Sequence, residues 1–309
     1  MLPTHRRHPT RVVGTLLAII LLALATGIEA GPPAGTEWRF KLDAGALHQF
    51  DASLDDGGDF DIDRYYLRLG ASRGFGPSAN AGVSLGYGES RYDFSGGGFG
   101  GSEPWGTIRE MRVSLPLSYR PEGNWSYFAI PSLRYEGERG AKRSKSDRWG
   151  LLGGAAYRFS DRLSIGPGLG VFSDIEDDTD VFPILLLDWK IRDDLRLETG
   201  RGLAATRGPG LTLRWTPLTR WEFSLSGRYE KSRFRLDKNG PIPNGIGQDK
   251  SVPLALSASY KPNRQVELSL LAGADFAGNL RLEDADGRRL ESSDYDTAPF
   301  VGLLFSLRP

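Results

Sequence analysis

No cysteine occurs anywhere in this chain. That excludes a disulfide framework and any thiolate chemistry, and it leaves no thiol near the N-terminus to carry a lipid. After residue 30 no window approaches the ~18 consecutive apolar residues of a membrane-spanning helix. Histidine is scarce: the chain has three, and beyond the first thirty residues only His48 remains. Proton transfer near neutral pH therefore has a single candidate. A surplus of one charge sign is missing too, since 39 basic residues balance 39 acidic ones. With no long basic run to create an attracting field, nucleic acid is not an expected partner.

What is present begins with Arg6, Arg7 and Arg11, followed by the uncharged stretch from Val12 to Leu22 and small residues at Ala23, Ala25 and Ala30. That basic, apolar, small-residue order is the pattern of a secretory signal peptide, with an apolar part too short to cross a bilayer. Residues 1–30 are read as the leader, cleaved after Ala30 or, as the second choice, after Ala25, and 31–309 as the exported domain.

Beyond the leader, apolar and polar residues alternate in run after run, and the runs are broken by short turns rich in glycine, proline and asparagine. Alternation puts every second side chain on one face of a strand. Several runs stop at an aromatic ring and restart about five residues later: Tyr119 to Trp125, Tyr157 to Leu163, Trp189 to Leu195, Trp215 to Trp221, and Tyr260 to Val266. Rings suit the boundary between hydrocarbon and water, so Tyr119, Trp125, Tyr157, Trp189, Trp215, Trp221 and Tyr260 are assigned to the periplasmic interface. The pattern predicts an all-β fold, a transmembrane antiparallel up-and-down barrel of about fourteen strands. Twelve remain if the two weakest runs, 195–201 and 209–216, drop out. Most runs reach ten residues or more, against about 5–6 in an ordinary soluble sandwich.

Met111, Val113, Leu115, Leu117 and Tyr119 show what faces lipid, while Glu110, Arg112, Ser114 and Ser118 alternate with them. A cation at the bilayer midplane would cost about 2–4 kcal/mol, so the charged set belongs inside. The same parity gives lumen candidates Arg39, Lys41, Arg64, Arg68, Glu110 and Arg112 in the first half of the chain. Arg214, Glu222, Arg228 and Glu267 follow in the second. Rings of charge on a pore wall set ion selectivity, and the basic excess implies a mild preference for anions.

The other residue types that attract attention are weaker. His48 falls on the outward parity near the exterior rim and is read as an interfacial polar residue rather than a catalyst. The acids Asp55, Asp56, Asp59, Asp61 and Asp63 in the first long connection do not match a calcium loop and are read as solvated. Gly166-Pro167-Gly168-Leu169-Gly170 lacks the following helix that a phosphate cradle needs. Arg139, Lys142, Arg143 and Lys145 form a basic connection that suits lipopolysaccharide phosphates as well as water. No catalytic residue, metal or cofactor is expected.

Taken together, the chain resembles bacterial outer-membrane β-barrel proteins over residues 36–309. The likeness includes Pro299-Phe300-Val301-Gly302-Leu303-Leu304-Phe305-Ser306-Leu307, which looks like the C-terminal signal strand of those proteins, although Arg308-Pro309 follow it in place of an aromatic end. The segment Val181 to Trp189 is similar to a barrel family of unknown function. The resemblance implies the outer membrane of a Gram-negative bacterium, contact with membrane lipid and lipopolysaccharide, delivery by the barrel assembly machinery, and a monomer. The expected function is a passive pore for small polar solutes; the alternative is a closed barrel whose exterior loops act at the surface.

Overall fold

In the computed structural model the described residues are 37–99, 101, 103–142, 146–175, 179–199 and 210–309. The leader read over 1–30 lies outside them, as do Arg143 and Lys145 of the basic connection. Fourteen strands form one closed antiparallel barrel. They are β1 (Trp38–Ser53), β2 (Asp59–Phe75), β3 (Ala79–Ser95), β4 (Thr107–Ser114, resuming as Leu117–Tyr119), β5 (Trp125–Glu138), β6 (Asp147–Ser160) and β7 (Leu163–Ser173). The second half comprises β8 (Thr179–Arg192), β9 (Leu195–Thr199), β10 (Gly210–Leu218), β11 (Trp221–Arg228, resuming as Glu230–Arg235), β12 (Ile246–Tyr260), β13 (Val266–Glu283) and β14 (Arg289–Tyr295, resuming as Ala298–Leu307).

Each strand pairs with its chain neighbours, and β14 closes the cylinder on β1 from Leu42↔Leu307 to Gln49↔Phe300. Closure leaves no open edge, which is what allows a sheet to sit in hydrocarbon. The weak runs do form strands, β9 and β10, paired from Leu195↔Trp215 to Thr199↔Leu211. Fourteen is therefore the count, and twelve is discarded.

Proline breaks β4 at Pro116 without shifting its register: Ser114 pairs with Ser132 and Leu117 with Ala129. The ladder survives because the Gly82 N–H donates to the Pro116 carbonyl at 2.9 Å and the Leu115 N–H to the Pro131 carbonyl at 2.9 Å. At the turn after β4, Gly123 takes φ 103°, a conformation that L side chains rarely adopt.

The outward face is apolar and exposed to its surroundings over the middle of the wall, as at Leu85, Leu133, Leu185, Leu225, Leu256 and Leu270. Below this band the rings gather. Trp125 lies 5.2 Å from Tyr157, Trp221 5.0 Å from Tyr260, and Trp215 5.7 Å from Phe223. Tyr119 stacks near Tyr127 at 6.5 Å, and Trp189 sits across the ladder from Leu163.

Two connections differ from the expectation. The stretch 278–295, whose polar sequence suggests one long exterior loop, is mostly strand, with β13 and β14 paired from Gly278↔Tyr295 to Leu282↔Glu291. Asp59, Asp61 and Asp63 are not loop acids but belong to β2. In both places the strands run above the hydrocarbon, where the outward face meets water and no longer has to be apolar.

Candidate functional site

Pairing register fixes which side chains enter the barrel. Arg39 faces the ladder position of Ser72 at the periplasmic end and is exposed. Lys41 bonds Asp43 at 2.9 Å, Ser306 donates to the same carboxylate at 2.8 Å, and Arg68 sits across the ladder from Asp43. Glu110 holds Arg112 at 2.7 Å and has Arg134 at 3.7 Å.

On the other side of the lumen the charges form a continuous chain from strand to strand. Arg196 grips Asp188, its Nε at 2.5 Å, and also approaches Glu198 at 3.8 Å. Arg214 then bridges Glu198 at 2.5 Å and Glu222 at 2.9 Å. Lys261 bonds Glu222 at 2.6 Å and approaches Glu267 at 4.0 Å, and Arg308 lies 3.6 Å from Glu267. Hydroxyls run beside this chain, with Ser259 to Ser269 at 2.7 Å level with Glu222 and Ser224 to Ser257 at 2.7 Å one step along the strands. Such a wall is wettable yet carries few uncompensated charges.

Arg64 and Arg228 occupy a different setting. At the outer end β11 and β12 do not continue straight upward; the hairpin they form from Glu230 to Ser251 leans across the mouth. Its Arg235 forms a bridge with Gly137 of β5, and the Asp237 N–H donates to Glu138 at 2.8 Å. Phe234, Leu236 and the wall residues Phe60, Ile62, Ile108, Leu280 and Leu282 form one buried cluster with Phe99 and Trp105 of the β3–β4 connection. Trp105 lies 5.3 Å from the Phe234 ring and 5.5 Å from Phe94. The hairpin is an arm and the cluster is a plug.

Polar locks hold the arm. Asp249 accepts from Tyr92 at 2.8 Å, Tyr295 at 3.1 Å and Arg64 at 3.3 Å, which ties the arm to β2, β3 and β14. These three donors offset part of the cost of burying the carboxylate, but burial still outweighs them and raises its pKa above the ordinary range. Arg228 bonds Glu230 at 3.0 Å at the base of the arm. On its far face Lys231 reaches Asp174 at 3.2 Å and Asp180 at 2.8 Å, and Arg233 bonds Glu283 and lies 3.3 Å from Asp174, while Ser232 on the opposite face donates to Glu136. Burial alone would raise the Asp174 pKa, but Lys231, Arg233 and Arg148 outweigh it and hold the carboxyl below its usual range. Between the arm and β2–β4 remains a cavity of about 10 Å³, lined by Arg64, Ser90, Glu230 and Asp249 among others. That is space for about one water.

The arm was the functional element that the sequence reading missed. A signal for it exists: Phe60, Ile62, Tyr92, Phe94, Ile108 and Phe234 all fall on the lumen parity of their strands. Large apolar residues aimed into a supposedly wet bore mean that something dry fills it there. His48 lies on the outward wall with Nδ1 2.9 Å from an oxygen of Asp63.

A closed antiparallel cylinder with an apolar belt, an aromatic girdle at its short-turn end and a polar interior defines a Gram-negative outer-membrane β-barrel, embedded in lipid. No family model and no curated protein matches the sequence. Among solved structures the chain is similar to an outer-membrane channel from Pseudomonas putida F1, with 11% identity, a TM-score of 0.51, and coverage of 92% of this chain and 99% of that one. It is also similar to the P. putida toluene transporter TodX, at 9% identity and a TM-score of 0.45 over 89% of this chain and 90% of that one. A third likeness, to the NanC porin, has 9% identity and a TM-score of 0.39 over 86% and 98%. The likeness to the first is one of fold.

Proposed function

We propose that this barrel is a passive outer-membrane pore for small polar solutes whose outer mouth is covered by the β11–β12 arm. The observation that carries this is the periplasmic half of the lumen, where Arg196, Glu198, Arg214, Glu222 and Lys261 pair along the wall instead of across the bore. A fourteen-stranded cylinder is wider than the eight-stranded kind that side chains fill. The pore candidates then divide: Lys41, Arg68, Glu110, Arg112, Arg214, Glu222 and Glu267 line the passage, Arg39 stands at its exit, and Arg64 and Arg228 hold the plug.

Purified protein in planar bilayers is expected to show discrete conductance steps, brief or rare in the full chain and long-lived when 236–245 is replaced by a two-residue turn. Silence from both proteins across voltage and salt overturns the pore.

The buried cluster around Trp105 and Phe234 favours a second reading, a barrel that stays shut and works through its exterior surface. Shortening the arm would then leave the bilayer silent. Under either reading the chain acts as a monomer, is inserted by the barrel assembly machinery through its last strand, and performs no catalysis. Turnover of lipid or peptide abolished by His48→Ala would overturn that last assignment.

A further inference from the structure

We infer that the passage selects amphipathic organic anions, small molecules with an apolar ring or chain and a negative group; this rests on the pore reading above. The starting point is an uneven wall. Midway up β5, β6 and β8 the inward positions are Phe128, Ile130, Leu152, Phe182, Ile184 and Leu186, each only partly buried, while their outward neighbours Tyr127, Leu133, Leu151 and Leu185 face lipid. These strands are apolar on both faces. In β3, β4, β10 and β11 the inward positions at that depth are serine, threonine, glycine and charged residues, while β2 adds Tyr66, whose ring lies over Gly45, and β12 adds Pro253 and Ala255.

The apolar arc lies flat. A Cβ on Gly150 would stand 2.3 Å from the Phe172 ring, one on Gly170 would stand 2.5 Å from Phe182, and one on Gly154 would stand 2.7 Å from Leu186. Phe172 and Phe182 stack with centroids 5.6 Å apart and ring planes within 1°. The glycines of β6 and β7 are thus recesses into which large side chains fold against the wall. Side chains meant to fill the bore would project across it; these coat it.

Along the neighbouring arc, Lys41, Arg68 and Arg112 face the lumen beside Asp43 and Glu110, and Arg134 also approaches Glu110 at 3.7 Å. A solute sliding along β5–β8 with its apolar side on the wall meets net positive charge on the adjoining arc. A wholly polar solute leaves the apolar arc uncovered, and a hydrocarbon leaves the cations without a partner.

The test is a bi-ionic measurement with the full-length protein in planar bilayers, comparing benzenesulfonate, which stays ionised, with gluconate, which is of comparable size. Protein-free bilayers set the baseline. Benzenesulfonate is expected to permeate several-fold better than gluconate relative to their mobilities in water. Phe182→Ser with Ile184→Ser should remove that preference and leave the gluconate conductance in place, and Arg68→Gln should lower both anions against potassium. Heat-modifiable migration on gels confirms the fold, and Leu152→Ser replaces the double variant if that one does not fold. A permeability ratio equal to the mobility ratio, or a preference unmoved by the serine variants, overturns the inference while the pore stands. Absence of chloride current from both the full chain and the arm-shortened variant overturns pore and selectivity together.

Discussion

At the short-turn end the wall is the whole structure: tryptophan and tyrosine rings gather on its outside, tight turns join the strands, and the inward charges pair with their neighbours along the ladder. At the outer end the same strands run on past the hydrocarbon, and their alternation inverts. In β2, Asp61 and Asp63 point outward while Phe60 and Ile62 point in; in β3, Arg91 and Asp93 point outward while Tyr92 and Phe94 point in. The lower half is greasy outside and mostly polar inside, and the upper half is polar outside and packed shut inside. One rule accounts for both, since each face takes the polarity of whatever lies against it. Lipid touches the lower exterior, water the upper exterior, and the arm the upper interior.

The difference can be broken most directly by removing what fills the upper half. Replacing 236–245 by a two-residue turn should give the largest effect, a several-fold rise in mean conductance with the barrel still heat-modifiable. Phe234→Ala comes next. It deletes a ring from the centre of the plug, where such truncations cost about 3–5 kcal/mol, whereas Leu256→Ala on the lipid face should cost far less. Denaturant unfolding and protease access to the arm would read the two. If both substitutions cost the same, the plug is not a packed core.

A third comparison concerns charge. Asp174→Asn strips the arm's basic face of a buried partner, and breaking a buried pair costs on the order of 3–5 kcal/mol. Only part of this should appear, because Lys231 keeps Asp180 and Arg233 keeps Glu283. Acid should do the same to the native chain. The Asp174 carboxyl lies below its ordinary value in the folded state, so its contribution is fully present above about pH 3.9 and is lost as pH falls through the lowered value. The arm is expected to stay docked at pH 5 and to loosen only below about pH 4, followed by protease nicking. Loosening already at pH 6 would point to other groups. The smallest effect is expected from Asp188→Asn in the lower wall, where the pair with Arg196 is partly exposed and worth about 0–1 kcal/mol. There the readout is ion preference, shifted further toward anions, with unfolding nearly unchanged.

Alternation sufficed for the cylinder because lipid and water impose a two-residue period on every strand, whatever the neighbours are. The closed β fold and its outward apolar belt could thus be read locally, whereas the short β9 left the count open between twelve and fourteen. The inward parity of Arg214 and Glu222 was legible for the same reason, but the arm was not. Between Glu230 and Ser251 the residues look like a soluble loop, and nothing local says whether such a loop stands in water or folds over the mouth. That depends on Phe60, Tyr92, Trp105 and Tyr295, distant in the chain and brought together by closure. The sequence by itself determined the barrel and its apolar outer belt, since those follow from a periodic solvent boundary. Only the tertiary structure decided that the outer lumen is filled and that Arg64 serves Asp249, because contact between opposite walls exists only once the sheet has closed.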